Sequence, residues 1–278
     1  MLQQLVELAT AFERHGLKAI ICGGLGVYLC LSAKDSKPEQ RNILRVTNDI
    51  DLILTKQHVS KPGNREVIAQ IITDELKYIV REEGRYFHFQ KNDNQYLEIL
   101  ASPVDGIKVK DFRSKVVKSR LHGYYTPEAV FIEEGLRMVL LSEICSVSSK
   151  NIGIQVPSPV NLLIMKLYAF DDRDEKGEME HSQAHAYDVY AIVTLTDRED
   201  FYEGRDFLAR HADSQIIKRA QSIVKNKFFS VEQNGWRCVL SSSAFYSGLG
   251  ISQKSEFLEQ ARRRLLRWFE AISTEVDG

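Results

Sequence analysis

Residues 44–55, LRVTNDIDLILT, put two carboxylates two positions apart in a run that otherwise reads as a core strand. Strand geometry sends Asp49 and Asp51 to one face, with Cα atoms about 6.6 Å apart. Asp is depleted in strands, and like charges on one face repel unless water or a cation neutralises them. A solvated strand face or a pair of turn aspartates at a strand end would satisfy the pattern. A hard divalent cation would satisfy it too, since Mg²⁺ commonly takes one or two carboxylates together with substrate phosphates. The apolar continuation Ile53-Leu54 favours a strand entering a core.

The flanking segments predict an α/β chain. Leu2, Leu5, Val6, Leu8, Ala9 and Phe12 fall near helical spacing, and Gly16 ends the run. LKAIICGG (17–24) reads as a short strand closing on two glycines, and 25–33 as a helix. Residues 34–42 form a polar loop containing Pro38. Apolar positions from 67 to 80 predict an amphipathic helix over 64–83. RYFHFQ and QYLEILAS around KNDN predict a hairpin. Residues 137–147 fit strand or helix equally, 153–159 read as extended, and the chain is mostly helical from Val160, ending in a strong amphipathic helix over 255–272. This organisation predicts a small mixed sheet with helices over 1–157, then a mainly helical domain over 158–278.

Composition excludes several classes. Of 278 residues, 37 are Lys or Arg and 38 Asp or Glu, giving a net charge of −1, so any polyanion contact must come from a local patch. With 44% hydrophobic and 27% charged residues the chain is of ordinary globular make-up. Four cysteines without CxxC spacing argue against a disulfide scaffold or zinc ribbon. The start has no basic region followed by a long apolar one, and no run reaches the ~18 apolar residues of a membrane span. The expectation is a soluble, cytoplasmic protein with no membrane partner. Neither GxSxG nor GxxxxGK[ST] occurs, which removes the serine-hydrolase and P-loop readings.

Other residues bear on the aspartate pair. Glu98 sits inside the apolar run QYLEILAS, where a lone carboxylate is costly to bury unpaired. If its strand lies beside that of Asp49 and Asp51, three acids converge, enough for two divalent ions. Gly23 and Gly24 mark a strand–helix turn, where backbone N–H groups can approach a phosphate. Lys166 interrupts the apolar helix LLIMKLYAF, as a snorkelling residue or an anion contact.

The order Gly-Gly, helix, Asp-x-Asp on a strand and an acid on a later strand resembles the DNA-polymerase-beta-like nucleotidyltransferase superfamily. Arg45-Val46-Thr47-Asn48-Asp49-Ile50-Asp51 is similar to the R-x-(S/T)-x-D-(I/F)-D of the AbiEii family of abortive-infection, type IV toxin nucleotidyltransferases. Leu163 to Ala169 with Asp172-Arg173, then His185 to Tyr190, is similar to that family's later motifs. The resemblance covers about residues 17–195. It implies a polymerase-beta-like core and Mg²⁺-dependent transfer of a nucleoside monophosphate from an NTP to a hydroxyl, on RNA, a tRNA 3′ end or a protein. It also implies a toxin's role, with a cognate antitoxin as a possible partner. By position, Asp49, Asp51 and Glu98 would bind one or two Mg²⁺ ions and act in catalysis with Lys166. Gly23, Gly24, Thr47, Lys166, Arg173 and Asp188 would bind the NTP in a cleft closed by the helical domain. Departures are Leu25 in place of a hydroxyl residue, a long Gly24-to-Asp49 interval and Glu rather than Asp as third acid. A degenerate nucleotide-binding module is the alternative, followed by an aminoglycoside-type transferase.

Two charge clusters remain. Lys108, Lys110, Arg113, Lys115, Lys118 and Arg120 oppose one acid, Asp111, and are the better candidates for gripping a nucleic-acid backbone. Arg262, Arg263, Arg264 and Arg267 are offset by Glu256, Glu259 and Glu270 and fit a solvated helix face. His181 and His185 have zinc-compatible spacing but no HExxH.

Overall fold

The computed structural model describes residues 2–32, 43–45, 47–56, 58, 61–81, 87–92, 95–104, 121, 123–144, 152–245 and 250–270. The chain divides into two compact units, residues 1–32 with 46–161, and residues 33–45 with 162–278.

The first unit is built on a mixed sheet, in which eight strands are present among the described residues. They are β1 (Ile20–Cys22), β2 (Asp49–Leu54), β3 (Ile79–Val80), β4 (His88–Lys91), β5 (Gln95–Ala101), β6 (Tyr124–Tyr125), β7 (Arg137–Leu140) and β8 (Gly153–Val156). Their order is β3-β4-β5-β2-β1-β8-β7, and β6 pairs with the end of β5. β2 runs antiparallel to β1 and parallel to β5, and β4 and β5 form the expected hairpin.

Helix α1 (Leu2–Arg14) forms because Leu5, Leu8, Ala9 and Phe12 share one face, all of it buried. Each large side chain contributes about 1.5–3 kcal/mol of burial. Gly16, at φ +66°, turns the chain out of the helix. This face packs with Ile21, Ile50, Leu52, Leu97, Ile99 and Ile154, one side of the central strands. Helix α2 (Gly23–Leu31) is apolar all round, and is correspondingly buried on most sides. Helix α3 (Pro62–Gln70) continues as a wide π-turn over Ile71–Glu75. There the expected helix over 64–83 ends early: Lys77 adopts φ 61°, and Ile79–Val80 join the sheet. The ambiguous 137–147 region is both things in turn, β7 and then one helical turn at Leu141–Ile144.

The second unit is helical. Its elements are α4 (Pro159–Glu175, whose first three residues belong to the first unit), α5 (Met179–Leu195), α6 (Arg198–Arg210), α7 (Gln215–Ile223), α8 (Asn234–Ser241) and α9 (Ile251–Phe269). Asp197 and Ser214 cap α6 and α7 through their side chains. Aromatic edges lock the bundle: Phe228 meets Phe170 and Trp236 with ring centres 4.9 and 5.4 Å apart, and Trp268 meets Phe201 at 5.8 Å. No helix among the described residues is long and apolar enough to cross a membrane.

Candidate functional site

The register of the sheet decides which acids share a face. Cys22 on β1 pairs with Asp51 on β2, Asp51 pairs with Glu98 on β5, and Glu98 pairs with His88 on β4. Paired residues on neighbouring strands project to the same side. Asp49, Asp51, Glu98 and His88 therefore stand on one face of the first unit's sheet, with neighbouring strands about 4.8 Å apart. Asp49 is exposed and Asp51 half-buried.

Gly23 explains the Gly-Gly signal. It has φ +65°, which a side chain tolerates poorly, and a Cβ built on it would fall 1.5 Å from Asp51 Oδ2. The Asp51 carboxylate thus occupies the space a side chain at position 23 would fill. The Cys22 thiol donates to the Asp51 carbonyl at 3.3 Å, fixing the same strand pair. Gly24 is buried in the first turn of α2. The Thr47 hydroxyl donates to the Asp49 carbonyl at 3.3 Å, at the entry to β2.

Glu98 is drawn toward the hairpin. His88 Nε2 lies 3.1 Å from Glu98 Oε1. Among the described residues no three His, Cys, Asp or Glu side chains gather as a metal-binding cluster. The donor chemistry of the aspartate pair still fits Mg²⁺, with oxygen ligands on one face and Asp51 seated against a glycine. Glu98 fits only if it leaves His88.

In the second unit a buried charge network joins three residues. Asp188 is 1% exposed and Lys166 4%. Lys166 Nζ lies 2.6 Å from Asp188 Oδ2, while Arg45 Nε and Nη2 reach Oδ1 and Oδ2 at 2.6 and 2.8 Å. One carboxylate thus bridges two cations and leaves the group with a net charge of +1. Burial opposes ionisation of Asp188, but Lys166 and Arg45 outweigh it and hold its pKa down, at about 2. Beside them His185 is driven down to about 3, by burial first and then by the Lys166 charge. Its Nδ1 is sealed from solvent with no hydrogen-bond partner. His181 is exposed, so the two histidines do not share an environment.

Arg173, expected among the nucleotide contacts, pairs with Glu178 at 2.5 Å. Arg45 heads the motif that runs to Asp51 but carried no expected role; its pairing with Asp188 spans 143 positions and leaves no local signal. Three arginines of α9 make contacts within the fold: Arg262 and Arg263 share Glu259, and Arg264 caps the Val193 and Thr194 carbonyls. The basic stretch from Lys108 to Arg120 lies outside the described residues. A cavity of about 350 Å³ in the first unit is lined by Lys18, Thr55, His58 and Glu133, past the end of β2 opposite Asp49, and contains none of the expected site residues.

No protein-family model, curated protein or solved structure matches this chain.

Proposed function

We propose that the chain is an Mg²⁺-dependent nucleotidyltransferase that moves a nucleoside monophosphate from an NTP to an acceptor hydroxyl. The observation that carries the reading is the placement of Asp49, Asp51 and Glu98 on one sheet face, with Gly23 shaped to seat Asp51. Transfer of this kind asks for positioning and charge neutralisation rather than a covalent intermediate. When bound, Mg²⁺ would neutralise phosphate charge and polarise the reacting oxygens. Asp49 and Asp51 would hold it. Within the helical unit, Lys166 and Arg45 would offer positive charge to a phosphate, and Asp188 keeps both in place. An RNA or tRNA end, or a protein hydroxyl, is the proposed acceptor, and a toxin's role with an antitoxin partner goes with that chemistry.

The test is incubation of the protein with each α-labelled NTP, Mg²⁺ and bulk tRNA. Label should enter the acceptor with at least one NTP and be lost in Asp49→Asn. Absence of label with every NTP and acceptor would remove the proposal.

The pairing of Glu98 with His88 favours a second reading, a nucleotide-binding module without turnover. It predicts NTP binding by calorimetry with no pyrophosphate released.

A further inference from the structure

The hollow past the end of β2 gathers groups that the proposed chemistry does not use. Its volume of about 350 Å³ is at the low end for small-molecule pockets. The length of β2, roughly 17 Å, separates it from Asp49. β1 begins there, and Ile20 is in register with Gln155 of β8, so both side chains project to the same side and line the hollow. Leu17 and Leu136 add apolar wall.

The polar groups differ in depth: His58 is 7% exposed, while Lys18 and Glu133 are exposed. His58 Nδ1 accepts from the Thr55 backbone N–H at 3.4 Å, and the His58 backbone N–H donates to the Thr55 hydroxyl at 3.2 Å. A ring nitrogen that accepts carries no proton, so the neutral imidazole holds its proton on Nε2. Burial pushes the His58 pKa down from 6.5, against the opposing pull of the Glu133 charge. The Nε2–H is then a donor without a partner among the described residues. Glu133 Oε1 accepts from the Lys56 backbone N–H at 3.0 Å, which fixes the carboxylate and leaves its second oxygen to a ligand. The Lys18 ammonium has no ion-pair or hydrogen-bond partner among the described residues. Two opposite charges thus line one hollow without pairing with each other. An anion there would face Glu133 and a cation would face Lys18, whereas a molecule carrying both charges meets neither penalty.

We propose that the hollow is a binding site for a free amino acid with an apolar side chain. The carboxylate goes to the Lys18 ammonium and the His58 Nε2–H, the amino group to the second oxygen of Glu133, and the side chain to Leu17, Ile20 and Leu136. The proposal is independent of nucleotide transfer, because no residue of the aspartate face takes part.

The experiment is calorimetry of the full chain against each standard amino acid, with adenosine and inorganic phosphate as probes of a neutral and an anionic ligand. An apolar amino acid is expected to bind at one site. Its carboxamide and its N-acetyl derivative, each lacking one charge, should bind at least about tenfold more weakly. Lys18→Gln should weaken the amino acid about tenfold and erase its advantage over the carboxamide. Glu133→Gln, which keeps an oxygen for the Lys56 N–H, should do the same against the N-acetyl derivative. His58→Asn, which keeps an acceptor for the Thr55 N–H, should weaken binding about 2–10-fold. Lys18 and Glu133 are exposed, so both charge variants should fold, and a thermal melt on each checks this. The proposal is overturned by no binding of any amino acid, by binding of polar amino acids alone, or by adenosine or phosphate binding in their place. Affinity unchanged in Lys18→Gln or in Glu133→Gln overturns it as well.

Discussion

At the scale of single residues, Gly23 and Asp188 carry the most consequence. Gly23→Ala must place a Cβ where Asp51 Oδ2 now sits, at a φ of +65°. The expected cost is about 1–3 kcal/mol, from the backbone conformation and the displaced carboxylate together. Urea denaturation measures it, and divalent-ion affinity should fall in parallel. Asp188→Asn leaves Lys166 and Arg45 without their shared anion, one of them almost fully buried. A loss of about 3–5 kcal/mol is expected, because an uncompensated buried charge costs more than the pair contributes.

The pH dependence of stability has two components of known sign. Asp188 has a folded pKa of about 2, below its usual 3.8, so its contribution is full above about pH 4 and disappears as pH falls toward 2. His185 has a folded pKa of about 3, so below pH 6.5 the unfolded chain takes up a proton that the folded chain refuses. Stability should then fall by up to about 1.4 kcal/mol per pH unit between pH 6.5 and 3. Denaturation midpoints across that range should show the slope, and His185→Gln should flatten it.

Among the elements, those with local signals were legible and those set by distant partners were not. β2 and β5 were visible because apolar runs frame their acids, and the KNDN turn fixes the hairpin. α1 was visible because its apolar positions repeat at helical spacing up to Gly16. The segment after Ile71 was misread as continuous helix because Leu76, Ile79 and Val80 keep helical spacing, while Lys77 turns to φ 61° and hands Ile79–Val80 to β4. Residues 137–147 carry no periodicity that separates β7 from the following turn, since pairing with β8 supplies the strand. Glu98's partner is a matter of side-chain placement that no spacing encodes. In the helical unit, close approach also depends on a distant contact. A Cβ on Gly204 of α6 would fall 2.3 Å from the Trp268 ring of α9. Gly204→Ala should therefore lower stability by about 1–3 kcal/mol in chemical denaturation, more than a helix-favouring substitution would return.

For the whole molecule, the two units divide the chemistry by charge. The first sets carboxylates in register on a sheet face, and the second holds a buried and a half-buried cation around one buried aspartate, with a net positive charge. Carboxylates with oxygen ligands on one face suit a hard divalent ion. The central claim is that the carboxylates of the first unit's sheet face serve a metal-dependent reaction on a nucleoside triphosphate. Mg²⁺-dependent pyrophosphate release, measured with each of the four NTPs in wild type, Asp51→Asn and Asp49→Asn, tests it most directly. The account predicts release by wild type with at least one NTP, abolished by chelation and reduced at least 100-fold in both variants, on the order of 3 kcal/mol of lost transition-state stabilisation. Release that persists in Asp51→Asn, or its absence from wild type with every NTP and acceptor, would contradict it.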